Sequence, residues 1–247
     1  MPSGLHPPHH SEQNAAARPH VLDDLAWAAL TGPHRHLAEL LGGAARYQPG
    51  MSPFVALADA EDPRAWKDLA QLVEPGVTIA VIGTAAVPGD WEIVNSIHGV
   101  QLVDETLRAA SEPEAVRLGP ADVPEMLDLV ARTRPGPFQS RTIELGAYYG
   151  IRRGGRLAAM AGERLRVPGW TEISAVCTDP DHRGHGLATR LLRHTAAGIR
   201  DRGDTPFLQA AETNTGAIGL YESIGFTVRR RILFTFARIP ETAQPTG

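Results

Sequence analysis

Residues 172–188 read Glu172-Ile173-Ser174-Ala175-Val176-Cys177-Thr178-Asp179-Pro180-Asp181-His182-Arg183-Gly184-His185-Gly186-Leu187-Ala188, and this stretch decides the fold. Its first seven residues mix β-branched and small side chains and predict a strand. Asp179-Pro180 ends it, because proline has no N–H for the ladder and pushes its predecessor out of the helical region. A helix is expected over 187–202, with Leu187, Leu191, Leu192, Thr195 and Ile199 along one side and Gly203 as its stop. A strand that feeds a glycine-containing helix start leaves free backbone N–H groups where phosphate oxygens can sit.

Working outward, the pattern predicts a strand over 207–211, a short helix over 214–224 and a last strand or hairpin over 226–237. Asn214 or Thr215 can cap that helix and Gly225 can end it. Upstream, 122–132 is an amphipathic helix stopped by Pro135-Gly136-Pro137, and 147–152 with 156–166 form a hairpin around Gly154-Gly155. Further back the spacing predicts helices over 22–29, 35–41 and 63–72. Short strands are expected at Tyr47 and over 54–57, a strand over 77–82, and further strand pieces over 91–103. This part is α/β in character and carries no catalytic signature. Trp27, Trp66 and Trp91 read as core or interface aromatics.

Pro113 and Gly119-Pro120 bracket a boundary. The expected organisation is a disordered tail over 1–20, a divergent α/β N-terminal domain over 21–114, a second domain over 115–240 and a tail over 241–247. His6, His9 and His10 lie in the first tail without a Cys or carboxylate framework, so they read as solvated side chains and no metal is expected.

Composition narrows the function. The net charge of -4 splits unevenly: residues 1–114 hold 6 Lys+Arg against 15 Asp+Glu, and residues 115–247 hold 18 against 13. The basic half contains the phosphate-loop candidate, which suits a polyanionic cofactor. Nucleic acid is not expected as a partner, because the charges are spread and not interleaved with stacking aromatics. Lys67 is the only lysine and no Gly-rich loop precedes it, which excludes a Walker-type loop and disfavours Schiff-base chemistry. The longest apolar run, over 77–87, is broken by Gly83 and Thr84 and is too short to span a bilayer. No charged-then-apolar leader is seen and a single cysteine excludes an internal disulfide, so a cytoplasmic address without a membrane is expected.

Two motifs in order, Arg183-Gly184-His185-Gly186-Leu187-Ala188 and then Asn214-Thr215-Gly216-Ala217-Ile218-Gly219-Leu220-Tyr221-Glu222-Ser223-Ile224-Gly225-Phe226, closely resemble the GNAT superfamily of N-acetyltransferases. The wording over 171–188 looks most like its glycine N-acyltransferase-like branch. The resemblance is specific over 117–236 and vague before it. It implies a mixed, mostly antiparallel central sheet flanked by helices, an α/β (α+β) GNAT fold. The first half would then be a divergent α/β segment or a degenerate repeat that binds no second coenzyme. A dinucleotide fold competes weakly, since the glycines do not form Gly-X-Gly-X-X-Gly.

The resemblance further implies acetyl-CoA as cosubstrate and transfer to a primary amine by direct attack in a ternary complex. The diphosphate would meet the amides of Arg183, Gly184, His185, Gly186, Leu187 and Ala188, helped by Arg183 or Thr189. Pantetheine would lie beside Val176, Cys177 and Thr178, with Asn214 bonding the arm or capping its helix. Tyr221 matches the family's general acid. Glu172, eleven residues before Arg183, stands where some members place a general base; the alternative is a solvated strand end. Cys177 reads as core packing rather than as an acyl carrier. His182, His185 and His194 form no helical metal pair. The acceptor pocket is expected from Phe138, Arg141, Glu144, Tyr148 and Trp170, with Tyr149 and Glu163 nearby. The acceptor would be a small-molecule or peptide amine, and the reading leaves room for a homodimer. Two other functions share the scaffold: a non-catalytic acyl-CoA-binding regulatory module, and an acyltransferase with a different donor or a hydroxyl acceptor.

Overall fold

Hydrophobic periodicity places most of the elements that the computed structural model contains, which describes residues 20–83 and 87–241. His6, His9 and His10, and most of the two expected tails, lie outside the described residues. The first elements are α1 (Leu25–Thr31), β1 (Ala38–Leu41), β2 (Ala44–Tyr47), β3 (Val55–Leu57), α2 (Pro63–Leu72), β4 (Thr78–Ile82) and β5 (Glu92–Asp104). Then follow β6 (Val116–Arg117), α3 (Val123–Thr133), β7 (Tyr148–Arg153), β8 (Arg156–Val167) and β9 (Trp170–Thr178). The chain closes with α4 (Leu187–Asp201), β10 (Thr205–Ala211), α5 (Thr215–Ser223) and β11 (Phe226–Arg238).

β1, β2 and β3 form a small antiparallel sheet. The other strands form one sheet of eight in the order β4-β11-β5-β10-β9-β8-β7-β6, antiparallel except where β9 meets β10. Two sequence expectations change here. Residues 35–41 were expected to be helical, but only Arg35–Leu37 make a 3-10 turn and the rest is β1. Gly42-Gly43 joins Leu41 to Ala44 as a two-residue hairpin, with Gly42 at φ +51° and the Gly43 N–H donating to Asp68 at 2.8 Å. The pieces expected over 91–103 fuse into one long strand, β5.

The expected boundary at 114/115 runs through a sheet rather than between two. β5 lies between β10 and β11 and pairs with both, and β4 pairs with the far side of β11. Among the described residues the first half builds no second copy of this sheet. It supplies two of its strands and a cover for one face.

α4 and α5 lie on one face, where Leu192, Ile199, Tyr221 and Phe226 share a core. α3 covers the other face through Met126 and Leu129, beside Tyr148 and Cys177. On that same face α1 and the small sheet bury Leu25, Leu30, Tyr47 and Phe54 against Leu165, Phe207 and Phe234. α2 backs the small sheet, with Trp66 edge-on to Trp91 at 5.4 Å. α3 is tied down by Arg152 of β7, which donates to Asp122 at 2.7 Å and Glu125 at 2.6 Å. No described helix is long and apolar enough to cross a membrane.

Candidate active site

The site begins with a fork. β9 and β10 run parallel and paired from Trp170/Thr205 to Ile173/Leu208, and no pair continues beyond that point. β9 is bent there by an extra residue: Ser174 to Cys177 spans the partners of Gly162 to Met160, and Ala175 sits at φ +53°. A non-glycine residue in the left-handed region costs about 1 kcal/mol or more, and such outliers gather at functional positions. The bulge turns β9 away from β10 and leaves its edge from Ser174 to Thr178 without a strand partner on that side.

A cavity of about 440 Å³ occupies the fork. One end is lined by Thr178, Arg183 and Asn214, the middle by Val176, Cys177, Ala217 and Tyr221, and the far end by Phe54, Ile97, Arg164, Phe234 and Phe236. It therefore runs from the core under α4 and α5, through the split in the sheet, to the core under α1.

Beside the first end, the chain from Gly184 into α4 forms a cradle. Among the described residues the N–H groups of Gly184, His185, Gly186, Leu187, Ala188 and Thr189 donate to no protein acceptor; Arg190 N–H is the first to bond back, to Gly186 O at 3.1 Å. Gly184 at φ +80° and Gly186 at φ +69° hold the turn, and a Cβ there would meet open space. The glycines serve backbone conformation, not relief of a clash. Exposed amides at the start of a fifteen-residue helix fit a diphosphate. Arg183 reaches the cavity wall with Nε 3.4 Å from Thr178 O, and the His185 ring lies against His182 O at 3.2 Å, exposed.

Asn214 caps α5, its Oδ1 accepting from Ala217 N–H at 3.2 Å, and it lines the cavity as well. Tyr221 is 8% exposed and lines the cavity from α5. Burial pushes its phenol up to about 12, and nearby Cys177 adds to the shift. Cys177 is buried against α3 while forming part of the wall, and burial holds its thiol at about 11. A thiol so raised is a poor nucleophile near neutral pH, in keeping with a packing role.

Glu172 does not stand where a base could meet an amine. It is 0% exposed, does not line the cavity, and both of its oxygens are engaged: Arg164 donates at 2.9 and 2.6 Å, and Gln209 Nε2 donates at 3.1 Å. The ion pair compensates a carboxylate whose burial alone would be costly.

The expected acceptor residues are also placed elsewhere. Phe138 packs edge-on to Tyr148 at 5.6 Å beneath α3. Arg141 pairs with Glu144 at 2.7 Å and with Gln48 at 3.2 Å, clamping the β2–β3 connection. Tyr148 is fully buried with its hydroxyl unpartnered. Tyr149 meets His194 on the α4 face, Glu163 pairs with Arg202 at 2.8 Å, and Trp170 meets His20 edge-on. None of them lines the cavity. The residues at that end were missed because Phe54 and Ile97 lie in the half without motifs, and Phe234 and Phe236 read as ordinary strand aromatics. Among the described residues no three His, Cys, Asp or Glu side chains cluster as metal ligands.

The family model for FR47-like proteins matches residues 148–235, the stretch that builds this fork. A putative acetyltransferase of the GNAT family from Novosphingobium aromaticivorans is 38% identical, with a TM-score of 0.82 over 90% of this chain and 99% of that one. The chain belongs to the GNAT family. The alanine N-acetyltransferase of ribosomal protein bS18 from Escherichia coli is 30% identical over 118 residues, 44% of this chain and 79% of that protein. The N-alpha-acetyltransferase RimI of Mycobacterium tuberculosis is 38% identical over 90 residues, 34% of this chain and 56% of that protein. A GCN5-related N-acetyltransferase from Kribbella flavida shares the fold at 15% identity and a TM-score of 0.59. The mixed sheet with helices on both faces is thus the GNAT fold, and the protein is an acyltransferase of that family.

Proposed function

We propose that this GNAT protein transfers an acetyl group from acetyl-CoA to a primary amine by direct attack in a ternary complex. The reading rests on one observation: a single cavity joins Arg183 and Asn214, next to the amide cradle, to the Tyr221 phenol. Acetyl-CoA would place its diphosphate on the amides from Gly184 to Thr189 and its pantetheine along the free edge of β9, past Val176 and Thr178. Tyr221 would give its proton to the departing thiolate. With its phenol held at about 12 it is protonated throughout the physiological range. The amine attacks the thioester carbonyl, the C–S bond breaks, and the amine's proton leaves to water, from which Tyr221 regains its own, since among the described residues no carboxylate lines the cavity. The acceptor is a small molecule or a peptide amine in the cytoplasm. The narrower likeness to glycine N-acyltransferase-like enzymes remains part of this proposal and rests on the wording of residues 171–188.

Thiol release from acetyl-CoA with a panel of amines, together with calorimetric binding of acetyl-CoA, tests the reading. Binding with amine-dependent release supports it. Binding without transfer to any amine, and with no effect of Tyr221→Phe on any property of the complex, makes the protein an acyl-CoA-binding module instead. Preference for another thioester or for a hydroxyl acceptor overturns only the acetyl or amine part.

A further inference from the structure

The far end of the cavity has a definite chemistry. Phe54 precedes β3, Ile97 belongs to β5, and Phe234 and Phe236 belong to β11, so three separated stretches of chain converge there. Phe54 and Phe234 lie 6.2 Å apart centroid to centroid, and Phe234 stands opposite Ile97 in the sheet. Two polar side chains meet this end: Arg164, whose guanidinium lies 4.8 Å over the Phe54 ring with its charge matched by Glu172, and the uncharged amide of Gln209, whose Nε2 donates to the same Glu172. Among the described residues no Asp or Glu lines the cavity, and its other ionic side chains, Arg134 and Arg183, are also positive.

We propose that this chamber selects the acceptor: the amine it takes carries an apolar, uncharged alkyl or arylalkyl chain, and an amine with a second positive charge is refused. The inference rests on the acetyltransferase reading above. A second ammonium seated there would lose its water and find no free anion, since Glu172 behind the wall is already committed to Arg164. An apolar chain in the same place displaces water from four hydrocarbon side chains and leaves Arg164 bound to Glu172. The dipole of the paired Arg164 and Glu172 offers no net charge for an ionic tail.

The matched pair 1-aminohexane and 1,5-diaminopentane tests this, since they have the same length and differ in a terminal methyl against a terminal ammonium. With the protein saturated in acetyl-CoA, kcat/KM for the monoamine should exceed that for the diamine by about a hundredfold, the scale of a mismatched group in a closed pocket. Equilibrium binding of the two amines to the complex with unacetylated CoA should show the same order without any turnover. Equal values, or a preference for the diamine, in either measurement overturns the inference. Ile97→Asp should shrink the monoamine preference at least about tenfold, with Phe236→Asp as the second variant should the first not fold. An unchanged preference in a folded variant also overturns it. Absence of acetyl-CoA binding and of thiol release is a different failure and defeats the acetyltransferase reading itself.

Discussion

Arg164 of β8 and Glu172 of β9 face each other as a buried, two-pronged ion pair, with Gln209 of β10 as a third partner where the two parallel strands begin to part. The pair stands at the root of the fork and helps fix where the sheet divides. Glu172→Gln leaves the guanidinium buried without its counter-charge and should lower stability by about 3–5 kcal/mol in denaturant unfolding. On folded protein its kcat should fall less than about tenfold, against the 10²–10⁴ that loss of a true base brings. A larger fall in kcat with little change in stability would restore Glu172 to the chemistry.

Tyr221→Phe removes the one hydroxyl that the proposed mechanism asks for a proton. We expect kcat to drop by about a hundredfold with acetyl-CoA binding unchanged within about twofold, read by thiol release and calorimetry. The raised phenol also has a stability signature. Its folded value of about 12 lies above the ordinary tyrosine value of 10.0, so its contribution is complete below pH 10 and disappears as pH climbs from 10 to 12. Tyr221→Phe should flatten the stability profile in that alkaline window.

The acceptor, not the protein, should set the pH dependence of the reaction on its acidic side. With Glu172 committed to Arg164 and no carboxylate on the cavity wall among the described residues, kcat/KM for the amine should climb about tenfold per pH unit until the amine's own pKa is reached. A levelling-off below pH 7 in the pH–rate profile would reveal a protein base that this account lacks.

His34 supplies an acid-side handle on stability. It is 4% exposed and hydrogen-bonds the Tyr47 hydroxyl at 2.9 Å, and burial lowers its pKa from 6.5 to about 4. The unfolded chain therefore takes up this proton first. Stability is intact above pH 6.5 and should fall by about 3 kcal/mol as pH drops from 6.5 to 4. Comparing His34→Asn with the parent by urea unfolding at pH 7.5 and pH 4.5 checks it: the acid-induced loss should be smaller in the variant.

Gly186→Ala probes the cradle through backbone alone. With φ at +69° and open space around a new Cβ, the substitution costs about 1–2 kcal/mol of left-handed strain, relieved by moving the amides away from their common focus. Affinity for acetyl-CoA should fall about tenfold while the far-UV spectrum stays unchanged; equal affinity would show that the turn does not carry the diphosphate.

The second half of the fold was legible because its signals are local. The helix over 187–202, the hairpin around Gly154-Gly155 and the capping Asn214 each announce themselves within a few residues, and the structure places them within one or two positions. The 35–41 segment was misread because four residues of a strand fit a helical period as well, and the Gly42-Gly43 hairpin signal beside it was decisive. In the candidate site, Arg183, Asn214, Val176, Cys177, Thr178 and Tyr221 come together as lining of one cavity. Glu172 and the five expected acceptor residues do not, because a sequence position gives no view of which buried cation claims a carboxylate or which face a pocket opens on. The end of the cavity proposed for the acceptor is assembled from residues 54, 97, 234 and 236, and no local pattern ties such distant positions together.

β5 has a consequence for how the chain can be cut or built. Residues made early in synthesis form the slat between two strands made near the end, so the large sheet cannot close until residues 205–238 exist. Such long-range pairing slows folding and leaves partly made chains with open strand edges. A recombinant fragment starting at residue 115 would keep both sequence motifs yet lack the strand that joins β10 to β11.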